Sequence, residues 1–349
     1  MNTSGAISPS NIGTSSNNPT NTYTHGNIQK IGERLSSDIS SNGNDISLLN
    51  CFTHEGDDKI TIDSRQGSIL IEKGEIAADV KSTSGKIVVK EAVLKKINTE
   101  KGAVDISKRT NVEAIETLGS GDVTVSESVV NENISTTGGI VKLLQGSTAK
   151  QINTTLAGGS VIVDQSQVVE DISTYGGSVQ IQNKSKVNNI TTLISRGEIT
   201  VDESTVSGLI KTADASVTLT CKANVSNINT KGDLASVTVR ESSAKEINTI
   251  GGYIEIQTPT YLSESLTTER GLIFINSAES SNNINIDQKT GISFIYKTTL
   301  SGTLETNSKC TVINQDSKLE HIHFKIPAES NTNAQFPREP NLAPKTQMI

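Results

Sequence analysis

From about residue 60 onward, apolar and polar residues alternate in short runs divided by small turn-forming residues. Gly85-Lys86-Ile87-Val88-Val89, Gly121-Asp122-Val123-Thr124-Val125, Gly177-Ser178-Val179-Gln180-Ile181, Gly197-Glu198-Ile199-Thr200-Val201 and Gly252-Tyr253-Ile254-Glu255-Ile256 share one form. Each opens on glycine and then carries apolar residues two apart. A period of two predicts strands with one buried face. Runs this short do not stand alone as hairpins in water, so each strand needs neighbours.

Repetition supplies them. The tripeptide Ile-x-Thr returns at Ile97, Ile115, Ile134, Ile152, Ile172, Ile190, Ile210, Ile228 and Ile247, with Leu266 and Leu304 as variants. Successive anchors lie about 17 to 20 residues apart, a self-similarity typical of repeat architectures. A third apolar position falls three residues before the anchor, as in Val112, Val187 and Val225. The consensus unit is Ile-x-Thr, turn, Gly-x-Val-x-Val, turn, Ser-x-Val-x-x.

Stacked units of this kind predict an all-β fold, a parallel β-helix (β-solenoid) of about 13–14 coils with about 19 residues per coil, flanked by disordered termini. Every strand then pairs with the coils above and below, and Ile, Val and Thr form inward columns, a role that suits β-branched side chains. A β-sandwich would show no coil-length repeat. The Leu-x-x-Leu-x-Leu framework of leucine-rich repeats is missing, and the drift in coil length departs from a strict six-residue left-handed helix. At about 4.8 Å per coil the rod is roughly 60–70 Å long.

The flanks read differently. Residues 1–50 are rich in Ser, Thr, Asn and Gly, which predicts a disordered polar leader. Within it, Ile28, Ile31, Leu35 and Ile39 recur at helical spacing and predict a short amphipathic helix over residues 28–40. The solenoid is assigned to residues 51–320. Residues 321–349 read as a cap strand, in which Ile322, Phe324 and Ile326 alternate up to Pro327, followed by a flexible Pro-containing tail.

Composition sharpens this outline. Aromatic residues make up only 3% and Trp is absent, so the core is thin and aliphatic. The net charge of -7 argues against nonspecific nucleic-acid binding. No run approaches the roughly 18 apolar residues of a transmembrane helix, and the first 30 residues hold no apolar stretch of the Sec signal type. Three widely spaced cysteines, Cys51, Cys221 and Cys310, describe neither a disulfide framework nor a zinc site.

The strands Ser84-Gly85-Lys86-Ile87-Val88-Val89 and Ser120-Gly121-Asp122-Val123-Thr124-Val125 resemble the recurring lines of a bacterial adhesin-type β-solenoid family over roughly residues 60–315. The chain is similar at the same level to bactofilins, the polymer-forming bacterial cytoskeletal solenoids. Neither resemblance implies a catalytic motif. The polar N-terminus also looks like the leader of effectors that bacteria export through specialised secretion machines.

Candidate chemistry is sparse. Phosphate-binding loops, nucleophile elbows and His-Glu-x-x-His are missing. The four histidines are His25, His54, His321 and His323. The pair His321 and His323 would share one side of a strand, but no third metal ligand is evident. Asp122, Asp164 and Asp202 alternate outward beside Gly-initiated strands, where charge usually serves solubility, while polysaccharide-cleaving β-helices need clustered carboxylates. An ice-binding array needs outward threonines, whereas the outward column here reads Asn98, Glu116, Ser135, Asn153, Ser173, Thr191, Lys211 and Asn229. No catalytic, cofactor-binding or metal residue is assigned, and no cofactor is expected.

The expectation is a non-enzymatic binding or scaffold protein, secreted, surface-displayed or host-delivered as a virulence-type factor. Its partner would be a protein or other macromolecule along the rod, not nucleic acid. Two alternatives stand beside it: a cytoplasmic bactofilin-like polymer joined end to end, and a polysaccharide-acting β-helix enzyme.

Overall fold

A computed structural model describes residues 26–54, 60–156, 158–194, 197–257, 261–276, 279–280, 284–307, 311–313 and 316–324. The strands are parallel and stacked about 19 residues apart in a β-solenoid of about 14 turns, as the repeat predicts. The described residues contain no helix, and so none that is long and apolar enough to cross a membrane.

Each turn is built from two strand segments. Val123–Ser126 is a short flat strand, and Val129–Thr136 is a longer one bent at a bulge. Val123 lies in register between Val104 and Val141, and Ile134 between Ile115 and Ile152. Like residues therefore stack on like. Both the Ile and the Thr of the anchor point inward, with Ile134, Ile152, Ile172 and Ile190 fully buried. The middle residue faces out, as strand alternation requires.

The buried anchor Thr also ends the strand. In the central turns its hydroxyl donates to the carbonyl of the glycine that starts the next one, Thr136 to Gly139 at 3.2 Å, Thr154 to Gly159 at 2.7 Å and Thr174 to Gly177 at 3.0 Å, while the hydroxyls of Thr192, Thr230, Thr249 and Thr268 are buried without this bond. In those three turns the buried hydroxyl finds a partner and fixes the corner. The glycine itself is imposed by stacking. A Cβ on Gly85, Gly139 or Gly177 would fall under 3.0 Å from the carbonyl oxygen of Gly67, Gly121 or Gly159 in the preceding turn.

Between Val104 and Arg240 the structural repeat is two turns rather than one: the corner after each short strand takes the left-handed backbone conformation at one residue or at two, in alternation, whereas the earlier corners at Asn50, Lys73 and Glu91 are all single. Glu127, Gln165, Glu203 and Glu241 are the single-residue corners, and Lys108-Arg109, Asn183-Lys184 and Cys221-Lys222 are pairs. The single corners at Glu127, Gln165 and Glu203 are followed by a longer bent strand: Val130, Val168 and Val206 precede their anchors by four residues, against three for Val112, Val187 and Val225, and three again for Ala244 after Glu241. The bulges in the ladder fall where these two spacings meet. Paired and single corners interlock, because the N–H of Arg109, Lys184 and Lys222 donates to the carbonyl of Glu127, Glu203 and Glu241 at 2.7, 2.9 and 2.6 Å. The alternation also sets Lys184 beside Glu203, 3.7 Å apart, so like charges do not stack on this edge.

A second ladder lies buried just past these corners. The backbone N–H of Thr110 donates to Ser128 Oγ at 3.1 Å, that of Ser128 to Ser147 Oγ at 3.2 Å, and the series continues through Ser166, Ser185 and Ser204. The hydroxyls of Thr110, Ser128, Ser147, Ser166 and Ser185 in turn donate to a carbonyl of their own corner, as Ser147 does to Leu144 at 2.6 Å. Ala223 occupies this column without a hydroxyl. Replacing Ser147 with Ala is expected to cost about 1–3 kcal/mol in urea unfolding, because a buried donor loses its acceptor. Replacing Ala223 with Ser should stabilise by about 1 kcal/mol, since the new Oγ can accept the N–H of Ser204. Equal midpoints for both variants and the parent would contradict this ladder.

The N-terminal region corrects the sequence reading. Ile28–Ile31 and Ile39–Ser41 are strands, not a helix, and Ile28–Ile31 pairs in register with Ile46–Leu49. Among the described residues the solenoid ladder therefore begins at Ile28 and not at residue 51. Leu35 and Ile39 are buried in the core. Their helical spacing arises because two short strands and a tight corner place inward residues three or four apart. At the other end, Lys318–Phe324 pairs with Thr299–Thr306 as the last described strand. The expected disorder of residues 1–25 and the tail beyond residue 324 lie outside the described residues.

Candidate interaction surface

The residues singled out for chemistry do not assemble into a reactive site. Asp122 accepts the Ile140 N–H at 2.8 Å, Asp164 accepts from Asn183 at 2.7 Å, and Asp202 accepts from the Thr220 hydroxyl at 2.6 Å. All three carboxylates brace their own turn to its neighbour. Asp164 and Asp202 stand two turns apart with Gln182 between them, which is roughly 10 Å at the strand spacing.

Cys221 is exposed at a corner. The Thr220 hydroxyl and then Cys221 itself hold Asp202 below the usual carboxylate range, and the hydrogen bond and charge of Asp202 push the thiol upward. A raised thiol holds less thiolate, the form that attacks. Cys51 is buried, and Cys310 lies outside the described residues.

His321 and His323 are exposed on the last described strand, paired with Thr303 and Glu305. His54 packs edge-on against Phe52, ring centroids 5.7 Å apart, at an open groove of about 760 Å³ shared with Glu75, Lys95 and Glu113. His25 lies outside the described residues. Among the described residues no three His, Cys, Asp or Glu side chains cluster to hold a metal.

What stands out is a change in the outward surface of the short-strand face. Through the middle of the rod its outward columns are polar apart from single apolar residues such as Ile162, and nearer the N-terminus Val88 stacks on Leu70. One column runs Thr200, Thr218, Thr238, Glu255, and the next runs Ser236 to Tyr253. Beyond them the same columns turn apolar. Glu255 is followed by Phe274, Phe294 and Val312, and Tyr253 by Leu272 and Ile292. Tyr296 flanks them in a third column above Asn276. Leu272 is 44% exposed, and Ile292, Phe294 and Tyr296 are each 36% exposed. In a chain so poor in aromatics, this concentration on one face is the main departure from the repeat.

Register explains how the patch comes to face outward. Gly291 stacks on Gly271, which sets Ser293 above the buried Ile273 and leaves Ile292, Phe294 and Tyr296 outside. The polar residue turned inward is satisfied: Ser293 Oγ donates to the buried Gln288 side chain at 2.8 Å, and Gln288 in turn donates to the Gly271 carbonyl. Slipping the strand by one residue would exchange the two faces. The observed register instead keeps a polar pair inside and an apolar surface outside. Burial and the neighbouring Glu255 carboxylate push the Tyr253 phenol upward, so it stays neutral at the patch margin, where Arg270 and Asp233 form an ion pair at 3.1 Å.

Sequence reasoning did not find this surface. Read alone, Ile292-Ser293-Phe294-Ile295-Tyr296 alternates with the wrong phase, and only pairing with Leu272–Asn276 decides which side is buried. No protein-family model matches the chain, and neither a curated protein nor a solved structure does.

Proposed function

We propose that this chain is a non-catalytic scaffold, a rod that holds another macromolecule through the apolar face around Leu272 and Phe294. The observation that carries this reading is the switch of that face, near the C-terminal end, from mostly polar columns to contiguous apolar and aromatic ones. Contiguous exposed apolar surface in a soluble repeat protein marks an interaction site more often than an accident of composition, and solenoids bind through extended faces rather than pockets. The Ser/Thr/Asn-rich stretch before the first strand supports a bacterial surface, secreted or host-delivered factor.

Partner capture from the native setting, run in parallel on the parent and on a Leu272→Glu/Phe294→Glu variant, tests this reading. Both substitutions sit on outward positions and leave the core intact. The bound partner should be lost from the variant and kept by a Leu118→Glu control, which changes an exposed residue on another edge. Retention of the partner by the patch variant would overturn the assignment. For the delivery reading, residues 1–27 fused to a reporter should carry it out of the cell.

One observation favours a second reading, end-to-end polymerisation. Among the described residues the strand Ile28–Ile31 pairs on one side only, and beside it Leu35 and Ile39 line a hollow of about 300 Å³. Open strand edges template further strands. Filaments of purified protein in electron micrographs support that reading, and monodisperse short rods count against it.

A further inference from the structure

The apolar face has a candidate occupant within the chain. In every turn, the residue after the anchor position leads round a corner onto the short-strand face. The last described strand ends at Phe324, which stacks on the anchor Thr306. Among the described residues the ladder therefore ends on an anchor position, and Thr311–Ile313 is the last strand of the short-strand face. Phe294 lies one turn further in and Phe274 two.

The residues that follow have matching chemistry. At least 25 more residues run to Ile349, and at about 3.3 Å each they reach some 80 Å, far more than the patch requires. They include Phe336, Leu342 and Met348, and prolines at 327, 337, 340 and 344. Proline supplies no N–H to a ladder, so this sequence is unsuited to another turn of solenoid. Pro-rich chain favours the extended left-handed helix, whose recognised docking surfaces are aromatic. Tethering raises the local concentration of such a segment at the patch far above that of a free partner.

We propose that residues 328–349 lie across the outward columns of Leu272, Phe274, Ile292, Phe294 and Tyr296 and cover them, so that an external partner must displace the chain's own tail. This rests on reading that face as an interaction surface, and it assigns the occupant of the free protein.

Because the chain has no tryptophan, a single Phe294→Trp substitution in the full chain reports on this face alone. The introduced indole should emit at short wavelength and resist acrylamide. Adding Phe336→Ser and Leu342→Ser should shift the emission to the red and raise the quenching rate several-fold, independently of protein concentration. An indole that is equally open to quencher with the intact and the altered tail overturns the proposal, but leaves the partner-capture test of the surface standing. Protection that disappears on dilution and ignores the tail substitutions also overturns it, and identifies a second copy as the occupant. Should Phe294→Trp disturb the fold by circular dichroism, Phe274→Trp in the adjoining turn serves as the same reporter.

Discussion

Replacing Ile172 with Asp is expected to unfold the centre of the rod. Ile172 is fully buried and stacks between Ile152 and Ile190. The substitution removes a well-packed aliphatic side chain, worth about 2–5 kcal/mol by truncation, and leaves a carboxylate without a partner in an apolar spine. A cost above about 5 kcal/mol places it among the rare severe substitutions. In a linear repeat the damage spreads to the turns on either side, so a broad early melting transition should replace the cooperative one. The neighbouring Ser173→Asp, on the outward position of the same tripeptide, should stay within about 0.5 kcal/mol of the parent. Identical melting of Ile172→Asp and the parent would mean that the anchor does not face the core.

A comparable loss is expected from Gly177→Val. The added Cβ would press on the backbone carbonyl of Gly159, and a backbone atom held in a ladder cannot rotate aside. The neighbouring turns must separate, at a cost of about 3 kcal/mol or more. Gly138 lies in the same kind of corner, yet a Cβ there meets nothing within 4 Å and its φ is not positive. Gly138→Ala should therefore be neutral, or stabilise by about 0.4–1 kcal/mol through the unfolded chain. Ala215 and Ala235 already occupy the stacked corner position in later turns, so Gly177→Ala should fall between the two. Urea midpoints that rank the three variants otherwise would show that stacking does not select the glycine.

These contrasts also show where the sequence is informative. The stacked fold was legible because Ile-x-Thr and Gly-x-Val-x-Val specify both the period of two and the coil length, and every coil repeats the message. The two-turn repeat was not, because its halves differ by compensating single residues. A corner of one residue, such as Glu127, goes with a step of four from Val130 to Ile134, and a corner of two, such as Asn183-Lys184, goes with a step of three from Val187 to Ile190. The sum hardly changes, so the pattern resembles drift. The helix expected over residues 28–40 failed because inward residues of adjoining short strands fall at helical intervals when the corner between them is tight. The apolar face around Phe294 escaped notice for a different reason: the phase of a strand in a solenoid is inherited from the turn beneath it, and local alternation cannot reveal it.

The stacked-coil architecture is tested most directly by distances between outward positions in one column. Ser135, Asn153, Ser173, Thr191, Lys211, Asn229, Asn248 and Thr267 are successive register partners. With nitroxide labels on Ser135 and Asn229, and separately on Ser135 and Thr267, in a background where the native cysteines are replaced by serine, pulsed electron spin resonance should give distances of about 24 and about 34 Å, each turn adding about 4.8 Å. Distances that fail to lengthen from the first pair to the second, or that match a compact body in which the two ends of the column approach each other, would contradict it.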